Sequence, residues 1–160
     1  GVRRGVAALL RSEHAMPWLV AVHCFNHRLE LAAKDAFGKT YLEDISTMLI
    51  NIYYVYTKSP KRLRDLHSVA EEMEEHIIKP QKAHGTRWLQ HKRKAVKALI
   101  SCYPVIVQHF RNLAEDNTAD SARFRGYLKQ LTSFKFVCNL VAFDVMLTPL
   151  AALSINLQCS

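Results

Sequence analysis

Paired cysteines, glycine-rich loops and clustered acids are what this sequence has least of. Its four cysteines, Cys24, Cys102, Cys138 and Cys159, lie far apart without a CxxC pair. That excludes a disulfide scaffold or zinc ribbon and points to a reducing compartment. Five glycines and five prolines in 160 residues exclude collagen-like and low-complexity classes, and they supply too few tight turns for an all-β chain. Neither GxxxxGK[ST] nor GxGxxG occurs, so no phosphate loop is expected. The carboxylates do not group as a metal-dependent nuclease requires: Glu30 and Asp35 share one predicted helix, Glu43-Asp44 open another, and the Glu71 to Glu75 run lies on an exposed face. No catalytic residue, metal or cofactor is therefore assigned. The apolar run Val6 to Leu10 is too short for a secretory signal, and Gly1 in place of Met makes the chain read as part of a longer one. The tail Phe136 to Leu157 approaches a membrane span in length, but Asn139, Asp144, Thr148, Pro149 and Asn156 interrupt it. It reads as a buried helix, with no membrane partner.

What the chain does have is helical periodicity and positive charge. Apolar residues make up 49% of it, enough for a core, and 22 Lys and Arg against 14 Asp and Glu leave a formal charge of +8. Val6, Leu9 and Leu10 mark a first helix that stops at Met16-Pro17. Trp18 to Val22 follows as one short strand, the only one expected, and Asn26 is placed to cap the next helix, which ends before Gly38. From there the pattern is helical throughout. Leu42 to Tyr56 form one apolar face, Ser59-Pro60 start a helix running to Lys79-Pro80, and Thr86 caps a stretch from Trp88 to Tyr103 that Pro104 kinks or restarts. Ala119 to Leu131 and the apolar tail complete the series. The expected fold is mainly α, with a helix-strand-helix piece over residues 1–37 and a helical domain over 38–160.

Two constellations carry chemistry. Cys24 and His27 form a CxxH, half of a zinc ligand set whose second half is absent from the sequence; a corner-bracing role without an ion suits them better. Between Lys79 and Lys97 there are seven Lys or Arg and no Asp or Glu. Arg93, Lys94 and Lys97 are expected on the solvent side of a helix whose apolar side is Ala95, Val96 and Leu99, with Arg87 and Trp88 at its start. Such a surface attracts phosphate, and Trp88 can stack on an unpaired base. The plainer alternative is that Trp88 anchors the helix in the core while the lysines balance the glutamate run.

Gly5-Val6-Ala7-Ala8-Leu9-Leu10, His23-Cys24-Phe25-Asn26-His27-Arg28-Leu29-Glu30-Leu31-Ala32 and, about sixty residues on, His84-Gly85-Thr86-Arg87-Trp88 together resemble the hAT superfamily of DNA transposases. The likeness is closer to the vertebrate domesticated proteins derived from them, of the zinc-finger-protein type, and it spans essentially the whole chain. The resemblance implies an RNase H-like core interrupted by a helical insertion: residues 1–37 as a truncated α/β edge of that core, and 38–160 as the start of the insertion. It implies that the three catalytic acids lie outside the chain, two before Gly1 and one after Ser160, so the segment is expected not to be an enzyme by itself. It matches Cys24 and His27 to the family's structural CxxH, and Arg87 and Trp88 to an element whose tryptophan stacks near a flipped base. The expected role is DNA contact in a nuclear protein through Arg87, Trp88, Arg93, Lys94 and Lys97. The alternatives are a helical scaffold for protein partners or self-association, and a fragment of an active transposase.

Overall fold

The computed structural model describes residues 5–20, 24–38, 40–85 and 87–158. Eight α-helices are found among them: α1 (Val6–Glu13), α2 (Phe25–Phe37), α3 (Leu42–Thr57), α4 (Pro60–Glu72), α5 (Trp88–Ser101), α6 (Tyr103–Glu115), α7 (Ser121–Leu131) and α8 (Phe134–Asn156). The mainly helical expectation holds. One strand was expected over Trp18–Val22, and the described part of it is not a strand. Pro17 and Trp18 lie in a turn, the Leu19 N–H donates to the Met16 carbonyl at 3.1 Å, and Arg11 Nε donates to the Leu19 carbonyl at 2.7 Å. Residues 21–23 fall outside the described set. A strand has to pair its backbone with a neighbour, and among the described residues there is no second strand to supply one, so these groups pair locally.

Breakers act mostly as their chemistry dictates. Ser59 accepts from the Arg62 N–H and Pro60 opens α4. Pro104 falls in the first turn of α6, so the chain breaks at Cys102 and restarts. α4 stops eight residues before Pro80, earlier than its apolar pattern suggested. Glu74 sits at φ 56°, the Glu75 N–H reaches the Ala70 carbonyl and the Glu74 N–H reaches that of Glu71, which is a Schellman stop with glutamate where glycine is usual. Four glutamates at the negative end of the helix dipole explain the early exit. Asn26 also departs from expectation: Cys24 occupies the N-cap of α2 without a side-chain cap bond, and Asn26 lies inside the helix.

The core gathers Ile45, Leu49, Ile52 and Tyr56 of α3, Leu66 of α4, Leu89, Val96 and Leu99 of α5, Ile106 and Phe110 of α6, Phe124 and Leu131 of α7 and Phe136, Phe143 and Leu147 of α8. α6 packs on α7, α5 on α8, and α3 touches α4, α5 and α8. Inside it the Tyr56 hydroxyl and His109 Nδ1 are 2.9 Å apart with their rings stacked. Burial pushes the Tyr56 phenol above its ordinary range and lowers the His109 imidazole, so both stay neutral near pH 7. α1 buries none of its residues. α8 is long and apolar enough to cross a membrane, and it is sided: Phe136, Leu140, Phe143, Leu147, Ala151 and Ser154 face the core, whereas Phe134, Val141 and Val145 are exposed. The buried-helix expectation thus describes one face of α8.

Candidate nucleic-acid interface

The sequence elements that carry the CxxH and the Arg-Trp pair meet in space. Glu30, one turn after His27 on α2, is only 5% exposed. Its Oε2 accepts from the Leu89 N–H at 2.8 Å, and its Oε1 accepts from the Ser154 hydroxyl at 2.9 Å; the same hydroxyl lies 2.8 Å from Asn26 Oδ1. Arg87, the N-cap residue of α5, makes no side-chain cap bond, and Thr86, the expected cap, lies outside the described residues. A carboxylate from another helix therefore does the capping. It satisfies one of the orphan N–H groups at the start of α5 and places negative charge at the positive end of its dipole. This contact fixes where Trp88 stands.

Trp88 is half-buried and stacked on Phe37, with ring centroids 5.8 Å apart and planes 16° from parallel. Phe37 rests edge-on against the fully buried Phe143 at 5.5 Å. Beside the indole opens a cleft of about 200 Å³ bounded by Lys34, Phe37, Glu43, Thr47, Trp88 and Lys92. Lys92 is one helical turn past Trp88 and holds its Nζ over the indole, 5.8 Å from the ring centroid. The residue is 3% exposed, and burial lowers its amine to about 8. Among the described residues no carboxylate lies within ion-pair distance of it. An amine this buried is destabilising in its charged form, and such groups in clefts mark candidate binding sites.

No protein-family model matches this chain, and no solved structure matches it. The candidate site therefore stands on its own geometry.

Arg87, Lys94 and Lys97 are exposed, and Arg93 is half-buried with its Nε enclosed and lacking a hydrogen-bond partner. None of the four forms an ion pair among the described residues, so the glutamate run of α4 does not neutralise them. At about 100° per residue, Lys94 and Lys97 point roughly 120° and 180° away from Trp88. The structure thus splits the predicted group in two: a basic outer face of Arg87, Lys94 and Lys97, and an inner cleft of Trp88 with Lys92. Cys24 and His27 stand one turn apart and exposed at the start of α2. No group of three or more His, Cys, Asp or Glu able to hold a metal ion occurs among the described residues.

Sequence reasoning missed Lys92 and Glu30, although both left a signal. Lys92 is four residues from Trp88 and so must share its side of the helix; Glu30 falls on the apolar stripe of α2. Lys92 also yields a test. Its folded-state pKa is below that of the unfolded chain, so below pH 8 its burial costs stability in full, and the cost is relieved as pH rises from about 8 toward 10.5. Lys92→Met is expected to raise the unfolding free energy at pH 7 by about 1–2 kcal/mol, with the gain shrinking by pH 10 in urea titrations.

Proposed function

We propose that this chain is the central segment of a hAT-transposase-derived nuclear protein, an RNase H-like core edge followed by part of a helical insertion, and that it contacts DNA through α5 and the cleft beside Trp88. The observation that carries the DNA contact is the Trp88 cleft itself: a half-buried indole with a buried lysine over its ring, bordered by Glu43 and next to a helix face whose Arg87, Lys94 and Lys97 form no ion pair among the described residues. Unpaired positive charge attracts a phosphate backbone, and an aromatic flank beside an open cleft favours an unstacked base. Supporting the family reading, Glu30 ties the element after the CxxH to the element after the Arg-Trp pair, which gives a physical reason for the two to occur together. Within this reading the catalytic acids belong to flanking sequence and Cys24 and His27 are structural.

Binding of a single-stranded or hairpin oligonucleotide, followed by fluorescence anisotropy over a salt series, tests it. Trp88→Ala is expected to weaken binding by about 1–3 kcal/mol, whereas Lys94→Ala is expected to reduce the slope of log affinity against log salt by about 0.7–0.9. Binding that is absent, or insensitive to salt, would turn the assignment toward the second reading, a helical scaffold for protein partners or self-association. One observation favours that alternative: the outer face of α8 exposes Phe134, Val141 and Val145 at 84%, 52% and 67%.

A further inference from the structure

A second cationic cleft, of about 190 Å³, lies between α3, α4 and α7, lined by Asn51, Tyr54, Lys58, Arg62, Arg123 and Tyr127. Lys58 and Arg62 are four residues apart and Arg123 comes from a distant part of the sequence, and all three are held by rings: Lys58 Nζ lies 4.8 Å over Tyr54, and the Arg62 and Arg123 guanidinium groups lie 5.2 and 5.0 Å from the centroid of Phe124. One carboxylate serves the arginines. Asp120 Oδ2 contacts Arg62 and lies 3.4 Å from Arg123, so the two arginines share one ion-pair partner among the described residues; Asp65 and Asp116 border the adjoining cleft on the other side of Arg62. Both arginines also sit in the first turn of their helices, at the positive ends of the dipoles, where a cation is disfavoured. Repulsion of this kind is relieved by an oxyanion, and guanidinium pairs are suited to one geometrically.

The position of this cleft relative to the first is set by α3. Glu43, Thr47 and Ile50 border the Trp88 cleft and Asn51, Tyr54 and Lys58 border the second, so the two lie along one side of the same helix. Their centres are displaced by about eight residues, or about 12 Å along its axis. That separation is short enough for one single strand to border both clefts, with its base at the first and its backbone at the second.

We propose that Lys58, Arg62 and Arg123 form a phosphate clamp that holds the backbone of the same nucleic-acid strand whose base lies at Trp88. The inference rests on the DNA-contact reading and extends it to a second site. The experiment is anisotropy with a labelled single-stranded 12-mer across a salt series, using the unaltered 160-residue chain, its K58A/R123A and D120N variants, and W88A for reference. K58A/R123A is expected to reduce the salt slope by about 1.4, two single-strand phosphate contacts. D120N removes the competing carboxylate, leaves no cap bond unmade, and is expected to tighten binding about two- to fivefold. Circular dichroism melts establish that each variant folds, and D120N keeps the test decisive if the double variant does not. If W88A weakens binding while K58A/R123A and D120N leave affinity and slope unchanged, the clamp is wrong and the Trp88 reading survives. If the unaltered chain shows no salt-sensitive binding, both fall. Inorganic phosphate separates the sources of the anion: saturation of the cleft by free phosphate without any loss of oligonucleotide affinity would also overturn the clamp.

Discussion

Glu30→Ala is expected to lower the unfolding free energy by about 3 kcal/mol, read as a shift of the urea midpoint at constant slope. The residue accepts two hydrogen bonds from groups that lose water on folding, the Leu89 N–H and the Ser154 hydroxyl. Removing the acceptor strands the Leu89 N–H, at about 1–3 kcal/mol for a buried group left unpaired, and withdraws a charge from the start of α5, while the Ser154 hydroxyl keeps Asn26 Oδ1 as its acceptor at 2.8 Å. Glu30→Gln separates the contributions. The amide oxygen can still accept from the Leu89 N–H while the NH₂ group donates to Ser154 Oγ, which keeps Asn26 Oδ1 as its own acceptor, so only the part of the loss due to the charge should remain. Ser154→Ala, which removes one donor together with its need, should cost less than Glu30→Ala. A Glu30→Ala variant as stable as the parent would mean that α5 begins without help from α2, and the physical link between the two sequence elements would be lost.

How far the sequence exposed this arrangement depends on which interactions are local. Helix starts at Pro60 and near Pro104 were legible because proline acts on its own backbone, and the apolar stripes of α3 and α5 follow from a period of 3.6 residues. The early end of α4 was not, because it turns on a left-handed glutamate rather than on glycine or proline. Trp18 to Val22 has the composition of a buried strand, but composition cannot provide a neighbouring strand; in the described residues Trp18 and Val20 are 73% and 77% exposed. Arg87, Lys94 and Lys97 were legible as a basic face. Their separation from Trp88 was also available from helix geometry, as was the presence of Lys92 on the indole's side. The cleft of Lys58, Arg62 and Arg123 could not have been found this way: it exists because α7 folds back on α3 and α4, a contact between residues some sixty positions apart.

Phe143→Ala is expected to lower stability by about 3–5 kcal/mol, because the ring is fully buried and alanine would leave a cavity where α8 meets the rest of the core. Its consequence should reach the candidate site. Phe143 supports Phe37 from the edge and Phe37 supports Trp88 face to face, so the stack is a chain of two contacts running from the core to the cleft. With the first ring gone, Phe37 can settle inward and Trp88 loses the flat support that holds it at the cleft wall. Intrinsic fluorescence reports this directly once the exposed Trp18 is replaced by Phe. In that background Phe143→Ala should shift Trp88 emission to longer wavelength below the melting temperature, whereas Phe110→Ala, a cavity of similar size in the α6–α7 cluster, should destabilise the chain comparably and leave the emission unmoved. Equal spectral shifts from both variants would show that Trp88 senses global loosening only. A shift confined to Phe143→Ala would show that the indole is positioned by this stack, and oligonucleotide affinity should then fall with it even where the chain remains folded.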